Sequence, residues 1–291
     1  MKIKEFVLIL VTGASGKTGK TITSALTAHG MDVRAIVRQK KQIDPLKKLG
    51  AKEVVVADLL DGERMDEVFF GTTAIYHICP NMHPQEEEIG RLMIHAAQKN
   101  HLKHFVYHSV LHPQVEAMPH HWKKLRVEDQ LFRISMPFTI LQPAAYMQNV
   151  LGYLDNMLKF GEYRIPYSTS SRLSMIDLND LAEVVVKVMT EEGHENAIYE
   201  LASHEALSAL DVATVVAKVT EKLILAGTMN RANWEKDARK AGLSDYAVDT
   251  LLKMFQYYEE YNFIGNSNQL TWLLGRKPNT FEQFFRQAYT P

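Results

Sequence analysis

The sequence predicts an α/β protein, a doubly wound parallel sheet joined to a smaller, mostly helical C-terminal lobe. Three observations predict it. An apolar, partly β-branched run at residues 6–11 passes into a glycine turn, Thr12-Gly13-Ala14-Ser15-Gly16-Lys17-Thr18-Gly19, and then into a helical stripe of Ile22, Ala25, Leu26 and Ala28. Short apolar strand patterns then alternate with amphipathic helix patterns as far as Pro143, the rhythm of parallel strands joined by right-handed crossovers. Beyond Pro143 the alternation lapses and helical patterns dominate.

The first run is too short for a core helix and suits a strand buried on both faces. The helix after it stops at Gly30, a natural C′ residue. Residues 32–37 read as the second strand, 45–49 as a short helix, 54–57 as the third strand and 61–70 as a helix. Residues 74–78 give a fourth strand, stopped by Pro80. Ile89, Leu92, Met93, Ala96 and Ala97 recur at i, i+3, i+4, i+7, i+8 and mark the clearest helix. Residues 105–107 form a fifth strand, 120–134 a helix and 138–141 a sixth strand. Further on, Asp177 reads as the N-cap of a helix through Met189, with Asp180 at the capping-box position. Residues 198–201 suit a strand, and Ser208 caps a helix through Val219. Residues 234–261 are helical in pattern, and Pro278 and Thr280 introduce a last helix carrying Phe281, Phe284 and Phe285. The expected division is a dinucleotide-binding domain at 1–150, with 175–202 returning to it, and a substrate or partner lobe at 151–174 and 203–291.

The chain has 291 residues, 46% hydrophobic and 23% charged, enough for one sizeable domain or two unequal lobes. Its formal net charge of −1 gives no global field for nucleic acid or an anionic membrane, so neither is an expected partner. One cysteine, Cys79, rules out an internal disulfide and suits a reducing, cytoplasmic setting. No apolar stretch reaches transmembrane length.

Strand, glycine turn and helix together aim backbone N–H groups and a helix dipole at a phosphate. Two phosphate loops compete for this turn. A P-loop needs four residues between its first glycine and Gly-Lys-Ser/Thr, which would require glycine at Val11 or at Ala14. Neither position holds glycine. Glycines at 13, 16 and 19 instead suit a dinucleotide turn with one extra residue between the first two. The second strand then bears on which dinucleotide. A carboxylate at its end would hold the 2′-hydroxyl of NAD, but this strand ends Ile36-Val37-Arg38, with Lys40 and Lys41 behind and no acid until Asp44. Arg38 fits the 2′-phosphate of NADP, with NAD(H) remaining open, and a solvated basic loop is the competing reading. Asp58 and Leu59, at the mouth of the third strand, fall at the expected adenine edge; Asp58 also suits helix capping ahead of Asp61.

These residues, with Phe105-Val106-Tyr107-His108-Ser109, Lys124-Leu125-Arg126-Val127-Glu128 and the segments 137–149, 173–182 and 270–285, resemble the NmrA-like group of atypical short-chain dehydrogenases/reductases over nearly the whole chain. The resemblance implies a Rossmann-type domain with the cofactor across the strand ends. Contacts would come from Gly13, Ser15, Gly16, Lys17, Thr18 and Gly19 in the turn, and from Arg38, Asp58 and Leu59 beyond it. Cys79 and Pro80 after the fourth strand, Ser109 after the fifth, and Pro143 and Tyr146 after the sixth would add to them, with Lys124 at the ribose.

The wider superfamily uses a Tyr-x-x-x-Lys pair and an upstream serine. The tyrosine passes a proton, the lysine lowers its pKa and holds the ribose, and the serine polarises the carbonyl. Lys124 matches the lysine and Ser109 the serine, but His120 stands where tyrosine is expected. Lys124, Val127, Glu128 and Leu131 share one helical face with His120 one turn back, so Lys124 projects inward at the edge of the core. His120 is a candidate acid, against the default of an exposed, idle histidine at a helix start. Ser109 equally suits a strand-end serine that satisfies a loop amide.

Tyr146 and Asn149, with Trp122 as an aromatic wall and Met175 on a returning segment, are the candidate acceptor contacts; packing of the lobe is the competing reading for each. Histidine is frequent from His77 to His121, including His101, His104, His108 and His112, without a metal-site spacing. Cys79 suits a buried, inert thiol better than a redox sensor. Some NmrA-like proteins reduce quinones or other conjugated substrates, and others bind dinucleotide without turnover and report redox state to a protein partner. The first expectation is therefore an NADP(H)-dependent oxidoreductase with a small-molecule substrate. The alternative is a non-catalytic redox sensor acting through a protein partner.

Overall fold

The computed structural model describes residues 8–289, so Phe6 and Val7 of the first expected strand lie outside the described residues. Strands and helices alternate as β1 (Ile9–Val11), α1 (Lys17–Ala28), β2 (Val33–Val37), α2 (Ile43–Lys48), β3 (Glu53–Val56), α3 (Gly62–Phe69), β4 (Ala74–His77), α4 (Glu86–Lys99), β5 (His104–His108), α5 (Pro119–Leu131) and β6 (Phe138–Pro143). The chain continues as β7 (Ala145–Tyr146), α6 (Leu154–Phe160), β8 (Glu162–Ile165), β9 (Leu173–Ile176), α7 (Leu178–Thr190), β10 (Ala197–Leu201), β11 (Ala206–Leu207), α8 (Ala209–Thr220), β12 (Leu225–Thr228), α9 (Arg231–Lys240), α10 (Asp245–Tyr261), α11 (Asn268–Leu274) and α12 (Phe281–Ala288).

The main sheet has the order β10-β6-β5-β4-β1-β2-β3. β1 pairs in parallel with both β2 and β4, and the pairs β2–β3, β4–β5 and β5–β6 are parallel as well. This is the strand order of a Rossmann sheet, whose direction of winding reverses between β1 and β4. The reversal makes a crevice at the carboxyl ends of those two strands, where the glycine turn leaves β1 and where Ile78, Cys79 and Pro80 leave β4.

By contact the chain divides into two compact units. The first runs to residue 114 and takes in 121–142 and 181–199; the second holds 115–120, 143–180 and the chain from residue 200 onward. In the first unit, Met65 and Phe69 of α3, Ile89 and Met93 of α4, and Val127 and Leu131 of α5 form one core cluster with Leu10, Ile36, Ile75 and Phe105 of the sheet. Burying each such side chain stabilises the fold by about 1.5–3 kcal/mol. α4 passes close to α5 at Gly90, where a Cβ would stand 2.7 Å from both methyls of Val127. Glycine there lets the two helices carry their polar side chains within reach of each other.

The second unit has its own core, in which Met147, Tyr163, Met175, Val212, Val216, Phe281, Phe284 and Phe285 cluster. Ser208 and Thr280 cap α8 and α12 through complete capping boxes with Asp211 and Gln283, each contributing about 1 kcal/mol. Asp177 accepts from Asn179 N (3.0 Å) at the start of α7, and the Asp180 carboxylate accepts from Arg276 and from Asn279 N (2.8 and 2.7 Å). The helical pattern of 234–261 divides into α9 and α10 at Gly242, whose φ of +89° breaks the helix, and Ser244 restarts it by accepting from Ala247 N. The sequence patterns did not show β7, β8, β9, β11 or β12, short runs of two to four residues that lie beyond the regular strand–helix alternation of the first half.

Candidate dinucleotide and proton-transfer site

The glycine turn is shaped by contacts that only glycine permits. Gly13 has φ +58°, and a Cβ on it would lie 2.8 Å from Ile78 O. A Cβ on Gly19 would meet Gly13 O at 2.3 Å and Ala14 Cα at 2.6 Å, so α1 packs directly on the turn. Gly16 differs. It is the N-cap of α1, its nearest neighbour to an added Cβ is Gly13 O at 3.4 Å, and it is exposed. No side chain caps the helix there, and its first turn carries no acid. The first backbone N–H groups of α1 therefore point from an open, anion-favouring helix end.

Thr12 fastens this turn to β4. Its hydroxyl donates to Ile78 O (3.0 Å), accepts from Ile78 N (2.8 Å) and lies 2.8 Å from His77 Nδ1. With the hydroxyl proton on Ile78 O, His77 Nδ1 is the donor in its pair. Burial, helped by the charge of Lys124, pulls His77 down to about 3 and keeps it neutral.

Arg38 follows β2 and is exposed, as are Lys40 and Lys41. The structure joins this basic segment to the glycine turn through Gln42, which sequence reasoning missed. Gln42 Oε1 accepts from the backbone N–H groups of Arg38 (3.1 Å) and Gln39 (2.9 Å), while Gln42 Nε2 donates to Ser15 Oγ (3.0 Å). Asp58 is exposed and accepts from Leu60 N (3.0 Å), and Leu59 is buried. Asp61 caps α3 by accepting from Arg64 N (3.1 Å).

At the carboxyl ends of β4 and β5 lies a buried polar cluster. Lys124 Nζ donates to Glu86 Oε1 (2.6 Å) and His108 O (3.3 Å) and stands 5.5 Å from the Tyr107 ring centre. Glu86, 1% exposed, also accepts from the Tyr107 hydroxyl at 3.0 Å. Of the three ammonium donors, the described residues take two. Tyr107 is raised well above its ordinary range by burial and by Glu86. Burial and Lys124 hold His108 down to about 3, and His108 Nδ1 lies 2.6 Å from the Tyr76 hydroxyl. Cys79 is buried, and burial followed by the Glu86 charge pushes its thiol up, away from thiolate chemistry.

A second buried group adjoins Ser109. The Ser109 hydroxyl donates to Glu128 Oε1, and Gln142 Nε2 donates to both Glu128 oxygens (3.0 Å each). Glu128 is 3% exposed, and its burial raises it, partly opposed by Ser109, Gln142 and the Lys124 charge. With its proton directed at Glu128, Ser109 in this state offers lone pairs rather than a proton to a ligand. Trp122 is half-buried on α5.

The second unit holds the other expected residues. His120 is buried rather than exposed at the start of α5, Pro143 ends β6, and Tyr146 is half-buried beside an exposed Asn149. Met175 is buried in the core of that unit. Glu86, Glu128, Gln142 and Gln42 had no role assigned from sequence. Glu86 had a usable signal, since it lies on the apolar face that continues through Ile89, Gly90 and Met93. Among the described residues, no three His, Cys, Asp or Glu side chains gather as a metal site, and no helix is long and apolar enough to cross a membrane.

Fold and turn define a doubly wound, dinucleotide-type α/β protein. The profile of the NmrA-like family matches residues 6–285, and the chain belongs to that family. It is 23% identical over 278 residues to an NAD(P)H azoreductase of Xenophilus azovorans, covering 95% of this chain and 96% of the relative. Its fold superposes on the NADPH-dependent quinone oxidoreductase QOR2 of Escherichia coli, solved with NADPH, with TM-score 0.84 and 22% identity, over 97% of this chain and 100% of that one. The triphenylmethane reductase of Citrobacter sp., solved with NADP(H), gives TM-score 0.82 and 21% identity over 97% and 100% of the two chains. At these identities the solved structures show a shared fold.

Proposed function

We propose that the protein binds NADP(H) along the strand ends of its first unit and reduces a small conjugated or quinone-like acceptor. One observation carries the reading: the uncapped N-terminus of α1 opens at Gly16, and Gln42 ties that turn to Arg38. A pyrophosphate suits the first site, and the guanidinium suits a 2′-phosphate. Asp58 and Leu59 flank the adenine, and the remaining N–H of Lys124 holds the ribose. Bound NADPH supplies a hydride. The chain's part is to orient the cofactor, keep the buried His77 and His108 neutral, and balance the Lys124 charge with Glu86. The names of the azo, quinone and dye reductases among its relatives support a reductase, and a single buried thiol suits the cytoplasm.

The test is a binding titration with NADP+, NADPH, NAD+ and NADH, followed by NADPH consumption with 1,4-benzoquinone. Tighter binding of the NADP pair and quinone-dependent oxidation are expected. Preference for a nucleoside triphosphate would overturn the cofactor assignment. Tight dinucleotide binding without oxidation across quinones, aldehydes and imines would replace the reductase with a redox sensor.

A further inference from the structure

We infer that Glu128 supplies, through Ser109, the proton that a reduced quinone-like acceptor takes up. The inference rests on the reductase reading above. Ser109 follows β5 at the carboxyl edge of the sheet, where ligands bind in folds of this kind. Its hydroxyl touches Glu128 Oε1, and Gln142 Nε2 reaches both carboxyl oxygens. This arrangement accepts either protonation state. With Glu128 ionised, Ser109 donates inward to it. With Glu128 protonated, Oε1–H donates to Ser109 Oγ, Oε2 keeps the Gln142 bond, and the Ser109 hydroxyl is released to donate outward. The chain lacks the superfamily tyrosine at His120, so a second proton route has a use.

The step balances. A quinone that accepts a hydride, two electrons and one proton, becomes a hydroquinone monoanion. The Ser109 O–H bond breaks toward that oxygen while the Glu128 O–H bond breaks toward Ser109 Oγ. The product leaves as neutral hydroquinone, and the Glu128 carboxylate regains a proton from solvent. Ser109 is the residue that meets the acceptor; Glu128 is a positioning residue that acts through it. The charged and titratable groups around Glu128 are Lys124, one turn back on α5, and Tyr107 on β5. Ser109 and Gln142 provide its hydrogen bonds. Burial outweighs them and raises its proton affinity above that of an ordinary carboxylate, which suits a proton donor nearer neutrality.

The test compares two acceptors in Glu128→Gln and Ser109→Ala. 1,4-Benzoquinone needs a proton after hydride transfer; a cationic triarylmethane dye is neutralised by the hydride alone and needs none. The expected result is a loss of quinone kcat on the order of 100-fold in both variants and a smaller loss with the dye, so that the ratio of quinone kcat to dye kcat falls in each. In the parent, quinone kcat falls as pH rises through the Glu128 titration and dye kcat does not. A readout independent of turnover is the infrared carboxyl titration of the protein without cofactor. It should show a raised carboxyl titration that is absent from Glu128→Gln and shifted in Ser109→Ala, beside that of Asp180, which burial also raises. Equal losses for the two acceptors, or unchanged quinone turnover, would overturn the proton route while leaving the reductase reading intact. Failure of the parent to oxidise NADPH with either acceptor would overturn the reductase reading, and the infrared titration would still decide whether Glu128 holds a proton.

Discussion

Replacing Lys124 with methionine tests the buried cluster most directly, because it removes the charge and keeps most of the stem. Lys124 Nζ lies 2.6 Å from Glu86 Oε1, with side chains 14% and 2% exposed. Methionine leaves the carboxylate desolvated, with the Tyr107 hydroxyl as its remaining strong donor. Stranding one member of a buried pair costs about 3–5 kcal/mol. For a chain of this size each kcal/mol moves the melting temperature by about 2–4 °C, so Lys124→Met should melt roughly 6–20 °C lower. The surviving Tyr107 bond favours the lower end. Circular dichroism melts of Lys124→Met, Glu86→Gln and the double variant form a cycle. The double variant, with no stranded charge, should recover more than half of the loss. A Lys124→Met melt within about 2 °C of the parent, or a double variant no better than the single, would refute the claim that Glu86 is held as a buried ion by Lys124.

Three further outcomes follow from the geometry. Gly19→Ala should lose at least about 1–3 kcal/mol and fold poorly, since its Cβ would overlap Gly13 O at 2.3 Å; Gly16→Ala, with 3.4 Å available, should melt like the parent yet bind NADP+ more weakly in calorimetric titration. Arg38→Asp should cost about 10–100-fold in NADP+ affinity through loss of a charge-assisted bond and spare NAD+, and an unchanged preference would remove Arg38 from the site. His77 and His108 titrate at about 3 and His121 at about 4 in the fold, against 6.5 ordinarily. The unfolded chain therefore binds protons that the folded chain refuses, and stability present above about pH 6.5 falls as pH drops toward 4, by about 1.4 kcal/mol per unit for each histidine. Urea midpoints that stay flat from about pH 7 to pH 5 would contradict neutral burial of these rings.

The parts of the molecule that were legible in the sequence are those set by neighbours along the chain. The glycine spacing, the apolar strands, the cap Ser208 and the helix start at Thr280 each act within a few residues, and the structure shows them in place; the cap of α3 is Asp61, where the sequence suggested Asp58. The polar cluster depends on partners far apart. Glu86 and Lys124 are 38 residues apart, Ser109 and Glu128 are 19 apart, and Glu128 and Gln142 are 14 apart. Their meeting follows from the sheet order and from the close pass of α4 and α5 at Gly90, neither of which a local pattern reports. The histidines illustrate the same limit. His104 and His108, four residues apart, share one face of β5 by simple alternation, but alternation cannot show that His104 meets Thr139 and His108 meets Tyr76. His120 is buried for a comparable reason, since a helix-start position predicts exposure only where nothing packs on it.

The pairing within α5 bears on how the site can work without the tyrosine. Lys124 and Glu128 are four residues apart on one face, a spacing at which a cation and an acid commonly pair. Here they do not. Lys124 turns to Glu86 on α4, and Glu128 turns to Ser109 and Gln142 at the strand ends. A direct bond to the ammonium would hold Glu128 ionised and remove it as a proton donor. Because Glu86 takes that place, Lys124 acts on Glu128 only as a nearby charge, and desolvation dominates. The buried Glu86 thus has two effects at once: it balances Lys124, the proposed ribose anchor, and it leaves the next acid along the helix, the proposed proton carrier, without a direct bond to the ammonium. Removing Glu86 while keeping Lys124 should then let the ammonium swing toward Glu128. Glu86→Gln is accordingly expected to lower the Glu128 infrared titration and to slow quinone reduction more than reduction of the cationic dye; an unmoved titration would sever the link between the two acids.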